Sequence, residues 1–152
     1  MVSVRLSVPA DAQPLAKHLR AGDRAEIAAY GGNLDPVRAI ETSIRSSYLC
    51  WTFEVDDQVA CVLGVSAVSA LGGIGCPWML GTDAVPRHRR ILTQLAPGYI
   101  RRMLAAFPHL VNHVHAGNTT SVRWLRRLGF TVHPPVPFGT AGELFHPFEL
   151  RG

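Results

Sequence analysis

Eight arginines, Arg87, Arg89, Arg90, Arg101, Arg102, Arg123, Arg126 and Arg127, fall in a stretch from Ala84 to Gly142 that contains no aspartate or glutamate. Guanidinium groups grip phosphates and carboxylates through forked hydrogen bonds, so this half of the chain favours an anionic partner: nucleotide phosphates, nucleic acid or an acidic protein face. Residues 1–83 hold nine of the eleven acids, and the net charge is +4. A solvated arginine-rich helix surface would give the same bias, because the chain uses arginine almost to the exclusion of lysine. Arg123, Arg126 and Arg127 stand three and four apart, which puts them on one helix face with Val122 and Leu125 turned inward. Such a stripe neutralises phosphates in a salt-sensitive way. It carries no base-reading motif, which argues against sequence-specific DNA recognition.

Other chemistry-bearing residues are weaker. His113 and His115 are two apart on an expected strand and share a face, with His133 on the next strand, an arrangement that could offer nitrogen donors to zinc. No carboxylate or cysteine is placed to complete the set, and no metal is expected. Cys50, Cys61 and Cys76 are odd in number and form no C-x-x-C pair, so neither a disulfide framework nor a metal pair is expected. A thiol nucleophile at Cys76 has no histidine fixed beside it by the sequence. A reducing cytoplasm fits these cysteines best, and no apolar run approaches a membrane span or a signal segment.

The elements that position these residues follow from patterning. With 152 residues, 47% apolar and 17% charged, one folded domain over 1–152 is expected. Val2 to Val8 alternates like a half-buried strand that Pro9 ends. Asp11 is expected to cap a helix over Ala12 to Arg20. Asp23 with Glu26 reads as a capping-box start for a second helix stopped by Gly31 and Gly32. Asp35 and Pro36 open a third helix, with Val37, Ile40 and Ile44 as its buried stripe. Tyr48 to Val55 and Gln58 to Val68 form a hairpin around Asp56 and Asp57. Leu71 to Gly75 is a glycine-rich loop, followed by a strand over PWMLGT. A long helix from Arg87 to Phe107 contains Pro97 and Gly98, so a kink or break near Thr93 to Gly98 is expected. Leu110 to Ala116 is a strand, Asn118 caps a helix over Thr119 to Leu128, and Gly129 ends it. Strands from Phe130 and over Glu143 to Leu150 close the chain. This alternation predicts an α/β (α+β) domain, a mixed and largely antiparallel twisted sheet with helices on both faces. The strands around Met79 and Val114, joined by a helix, should run parallel and diverge at one end.

That order, together with Asn118 to Phe130, N-T-T-S-V-R-W-L-R-R-L-G-F, resembles the GNAT superfamily of N-acetyltransferases. Asn118, Ser121, Leu128, Gly129 and Phe130 occupy the places of the family's closing motif. The resemblance implies an acetyl-CoA site in which a glycine-rich loop before the long helix offers backbone amides to pyrophosphate. Here the equivalent stretch is TDAVPRHRRILTQL, with no glycine between Gly81 and Gly98. Thr82, Arg87, Arg89 and Arg90 in that region, with Asn118, are left as the residues that would touch the cofactor. Many family members place a tyrosine seven residues after the asparagine, where it protonates the leaving thiolate. Leu125 stands there. Asp83 at a strand end and Glu54 in the hairpin are the nearest general-base candidates, although an aspartate at a strand end commonly serves as a cap or turn residue.

The last third of the chain also resembles a narrower group, the acyltransferase-like internal virion protein A of short-tailed bacteriophages. Leu110, Asn112, Val114, Gly117, Asn118, Thr119 and Phe148 match its layout. This resemblance implies a structural, assembly or genome-ejection role on a GNAT scaffold with a degenerate acetyl-CoA site. Phage structural proteins would be partners, with non-specific nucleic-acid contact through the basic surface, in the host cytoplasm and in the virion. No cofactor is then expected. The alternative is an active N-acetyltransferase using acetyl-CoA on a protein or small amine, and a third reading is an accessory nucleic-acid-binding protein.

Overall fold

The computed structural model describes residues 1–31 and 35–152. Eight strands form one sheet: β1 (Val2–Leu6), β2 (Leu49–Val55), β3 (Gln58–Ser69), β4 (Ile74–Gly81), β5 (His109–His115), β6 (Thr131–Val132), β7 (Val136–Phe138) and β8 (Glu143–Arg151). Their spatial order is β1-β2-β3-β4-β5-β8-β6, with β7 also paired to β8. Every pairing is antiparallel except β4 with β5. The helices are α1 (Ala12–Lys17), α2 (Ala21–Gly31), α3 (Pro36–Ser46), α4 (Ala84–Arg87), α5 (Arg89–Ala106) and α6 (Thr119–Arg127).

Strand alternation sorts side chains to the two faces of the sheet. Along β3, Val62 joins Leu15, Ile40, Ile44 and Leu80 under α1 and α3. Cys61, Leu63 and Val65 face the other way, with Leu92, Ile100, Met103 and Val122 from α5 and α6. The expected helices on both faces therefore cover two separate apolar layers. Asp56 and Asp57 both adopt positive φ, 49° and 64°, the twist that a two-residue hairpin turn needs. Asp35 caps α3 by accepting from Val37 N–H at 3.2 Å. Gly129, at φ 100°, ends α6 in the left-handed region that favours glycine.

Several expectations are corrected by contacts distant in sequence. Asp11 has helical dihedrals and does not cap α1. Its carboxylate instead takes Arg5 through both oxygens, at 2.9 and 2.7 Å, and the Thr52 hydroxyl at 2.7 Å. Burial opposes its ionisation, but these bonds prevail and hold its pKa below the usual value. Helix α1 ends at Lys17 rather than Arg20, because Leu19 bridges to Thr82 and Arg20 N–H donates to Gly81 O. Helix α2 is described as far as Gly31, and its expected stop at Gly31 and Gly32 falls where the described residues end. Pro97 does not break α5. The interruption falls at His88, between α4 and α5, and Leu92, Ala96, Ile100 and Met103 bury the helix on both sides of the proline. The short strand β7 was not legible in its proline-rich sequence.

Asp23 does not cap a helix either. It is 1% exposed and sits inside α2, where it takes Arg20 in a forked pair at 3.0 Å and 3.0 Å and accepts Gly81 N–H at 2.9 Å. Asn118 Nδ2 approaches its other oxygen at 3.4 Å. One carboxylate thus joins α2, the end of β4 and the start of α6. Gly22 permits the approach, since a β-carbon there would lie 2.9 Å from Asn118 Oδ1. Replacing Asp23→Ala leaves the Arg20 guanidinium and the Gly81 amide without their acceptor, a loss of about 3 kcal/mol for a buried pair broken on one side. Denaturant unfolding should show it, and a loss below about 1 kcal/mol would mean that Arg20 finds water instead.

Candidate functional site

Strands β4 and β5 pair only at Ile74 with His109 and Gly75 with Leu110, and then part. The cause lies in two residues. Pro77 has no N–H to donate toward β5, and its carbonyl accepts the Asn112 side chain at 2.6 Å. The same amide's oxygen accepts His113 N–H at 2.7 Å. Farther along, helix α2 closes the opening with carboxylates: Asp23 takes Gly81 N–H, and Glu26 takes His115 N–H at 2.7 Å. Since peptide groups along a strand alternate in direction, Pro77, Met79 and Gly81 all face the gap. Pro77 C=O is bonded to Asn112 of β5, and Gly81 is bonded to Asp23 of α2 and to the Arg20 amide. Met79 takes no part in the β4–β5 pairing, and no other bond to its N–H or C=O is found among the described residues.

A cavity opens on each face of this gap. On the α5 and α6 face, one of about 390 Å³ has an apolar floor that includes Phe53, Leu63 and Leu92, and a rim with Arg20, Arg89, Arg123 and Arg127. On the α2 and α3 face, one of about 680 Å³ is walled by Glu26, Tyr30, Trp78 and Asn112. Met79, Ser121 and Trp124 line both. These shared residues set the two clefts back to back where the strands part. Trp124 Nε1 donates to Thr93 Oγ1 at 3.1 Å and ties α6 to α5 beside the passage.

The expected site residues divide around this geometry. Arg89, Arg123 and Arg127 come together at the rim although two helices carry them, and sequence spacing alone did not pair them with Arg20. Arg126, Arg87 and Arg90 are exposed and line neither cavity. Thr82 is buried, and its hydroxyl donates to Ala60 O and accepts Ala84 N–H. Val85 N–H donates to Thr82 O. The amides opening α4 are therefore engaged by their own turn. Helix α5 starts at His88 without a side-chain cap. Asn118 turns its side chain to Asp23 rather than to the amides of α6. Asp83 is exposed and Glu54 accepts from Arg5 at 3.2 Å; neither lines a cavity.

The three histidines considered together are held apart. His113 stacks on Phe138 at 3.8 Å, and burial lowers its pKa. His115 Nε2 meets Glu143 at 2.9 Å, and His133 Nε2 meets Glu149 at 2.7 Å. Among the described residues no group of three histidine, cysteine or acidic side chains is placed to hold a metal ion. Burial pushes the Cys61 thiol up to about 12 and the Cys76 thiol up to about 11, and both are poor nucleophiles at neutral pH. Among the described residues no helix is long and apolar enough to cross a membrane.

Glu26, Asp23, Asn112 and Met79 went unrecognised as site residues in the sequence. The only signal for the acids was their spacing of three, which fits a capping box equally well.

Residues 58–135, spanning β3 to the turn after β6, match the family described as bacteriophage T7 probable scaffold protein Gp13. This is more than half of the chain, and the chain belongs to that family. No curated protein matches it in sequence. Among solved structures, it is similar to the ribosomal-protein-alanine N-acetyltransferase from Brucella melitensis, with a TM-score of 0.73, 17% identity, and 99% of each chain covered. It is similar also to the acetyltransferase of GNAT family from Streptococcus pneumoniae, with a TM-score of 0.68, 12% identity and 99% of each chain covered. A third is the RimL ribosomal L7/L12 α-N-protein acetyltransferase in complex with coenzyme A, with a TM-score of 0.70, 12% identity, and 99% of this chain and 93% of that one covered. The fold is that of the GNAT acetyltransferases.

Burial, with the nearby charge of Asp23 adding to it, raises the Glu26 carboxyl from 4.5 to about 7 despite the His115 amide. Between these values the folded protein keeps a proton that the unfolded chain has lost. The resulting stability is full below pH 4.5 and is lost as pH rises through about 7. It amounts to about 3 kcal/mol at most. Glu26→Gln keeps an acceptor for His115 N–H and removes the titration. Denaturant melts at pH 5 and pH 8 should show the wild-type protein losing stability relative to E26Q, and parallel pH profiles would contradict the half-buried, raised carboxyl.

Proposed function

We propose that this chain is a bacteriophage GNAT-fold protein with a structural role in virion assembly or genome ejection, akin to the acyltransferase-like internal virion proteins of short-tailed phages. The family to which it belongs carries the description of a probable scaffold protein, which supports that reading. The observation that carries it is the state of the turn from Thr82 to Arg90. In an acetyl-CoA enzyme of this fold, bare backbone there would meet pyrophosphate. Here Thr82 occupies the amides of Ala84 and Val85, and arginine side chains stand in place of glycines. Leucine at position 125 has no proton for a leaving thiolate. The protein works in the host cytoplasm and within the particle, against phage structural proteins.

A second reading, an N-acetyltransferase acting on a protein or small amine, is favoured by one observation. The peptide group of Met79, without a partner among the described residues, stands between the two clefts, so a carbonyl entering from one side could accept its N–H while an amine approached from the other. Glu26, at about 7 on the amine side, would be a suitable proton acceptor. A nucleic-acid accessory role would draw on the exposed arginines alone.

Calorimetric titration with acetyl-CoA separates the first two readings. No binding in the micromolar range is expected; a micromolar Kd, about 8 kcal/mol of affinity, would promote the enzyme and retire the degenerate-site reading. Replacing Arg123, Arg126 and Arg127 together by glutamine should lower incorporation into phage particles with little change in Tm, because all three are exposed. Unchanged incorporation beside a lowered Tm would make these arginines supports of the fold.

A further inference from the structure

The cleft on the α5 and α6 face combines three features. Its rim brings Arg20, Arg89, Arg123 and Arg127 together from three parts of the chain. Of these only Arg20 has an acidic partner among the described residues, Asp23, so three cations face the opening without one. Its floor is apolar, with Phe53, Leu63 and Leu92. Met79 also lines the cleft, a strand position whose N–H and C=O face the gap and have no partner among the described residues.

An unpaired strand peptide beside an apolar floor suits a second extended chain: backbone bonds supply affinity, and alternate side chains find pockets. The period of two then sets the chemistry of the occupant. Residues facing the floor must be apolar, and those facing the rim must be acidic. We propose that this cleft receives an extended acidic segment of a partner protein, paired through its backbone with Met79. The proposal rests on the assembly reading and names the kind of partner that reading requires.

Nucleic acid fits the cleft less well. A duplex is too wide to enter a concave space of about 390 Å³. Single strands are gripped by bases stacked on open aromatic faces. Here Phe53 is 3% exposed and meets Tyr99 edge-on, and the Trp124 indole is tied to Thr93. Carboxylates on a flexible backbone need no such platform, and guanidinium forks match them in pairs.

The probes are a blocked peptide of alternating glutamate and leucine, the same peptide with lysine for glutamate, oligothymidylate, and coenzyme A. The readout is amide hydrogen exchange by NMR, followed at Met79. The acidic peptide at millimolar concentration should slow exchange of the Met79 amide by about tenfold or more, and the lysine peptide should not. R123Q/R127Q should weaken the acidic peptide by roughly tenfold, as expected for two rim ion pairs lost. Both positions are exposed, and thermal unfolding of the variant checks that its fold is intact. Absence of Met79 protection, or binding indifferent to the two arginines, overturns the proposal. Oligothymidylate binding that depends on the same arginines, without peptide binding, also overturns it and assigns the cleft to single strands. If no probe protects Met79, only the peptide proposal fails and the assembly role is untouched. If coenzyme A protects Met79, the assembly reading falls with it.

Discussion

The junction of this fold is held by the Asp23 carboxylate. A fully buried ion pair repays its loss of hydration only when its remaining oxygens and protons are also bonded. Asp23 meets that demand with a forked Arg20, the Gly81 amide and the Asn118 side chain. Three separate elements must therefore be in place before the charge is tolerable. The arrangement specifies where α2 lies against β4 and where α6 begins, which apolar packing on either side of the sheet would leave much freer.

That position of α2 also accounts for the state of the sheet. Two parallel strands that part would expose a row of amides and carbonyls, each costly if left dry. Pro77 removes one donor outright, Asn112 spans the opening as a substitute rung, and Glu26 and Asp23 take the amides of His115 and Gly81. Met79 has no partner among the described residues and lines the clefts on both faces. Four arginines gather at the mouth on the α5 and α6 side, while the cleft beside α2 holds both Glu26 and Arg38.

Local signals were read from the sequence with good accuracy because their physics is local. Asp56 and Asp57 make a turn, Asp35 and Pro36 open a helix, and Gly129 closes one, each through its own backbone preferences. The parallel, diverging pair β4 and β5 was also legible, because a strand, helix, strand order leaves few other solutions. The failures share a cause. Asp11, Asp23 and Asn118 all have cap-forming side chains, and each turned to a partner far along the chain, where burial strengthens a bond that an exposed cap would make more weakly. Pro97 looked like a breaker until packing on both sides of it is considered. Arg89 and Arg127 were visible as charges, but their meeting with Arg20 depends on the placement of three helices. The aromatic contact between Tyr30 and Phe138, which seats β7 beside α2, had no sequence signature at all.

In most sheets the spacing between strands is set by the peptide unit and is the same in every protein. Between β4 and β5 it is set instead by the lengths of three side chains: Asn112, Glu26 and Asp23. Shortening or lengthening Asn112 or Glu26 by a single methylene would alter the aperture while leaving the Asp23 junction, the strand order and both apolar layers in place. Such an opening is adjustable by point mutation in a way that backbone-defined sites are not. A lineage carrying this scaffold can therefore widen or close the gap between these strands while the rest of the fold stays as it was.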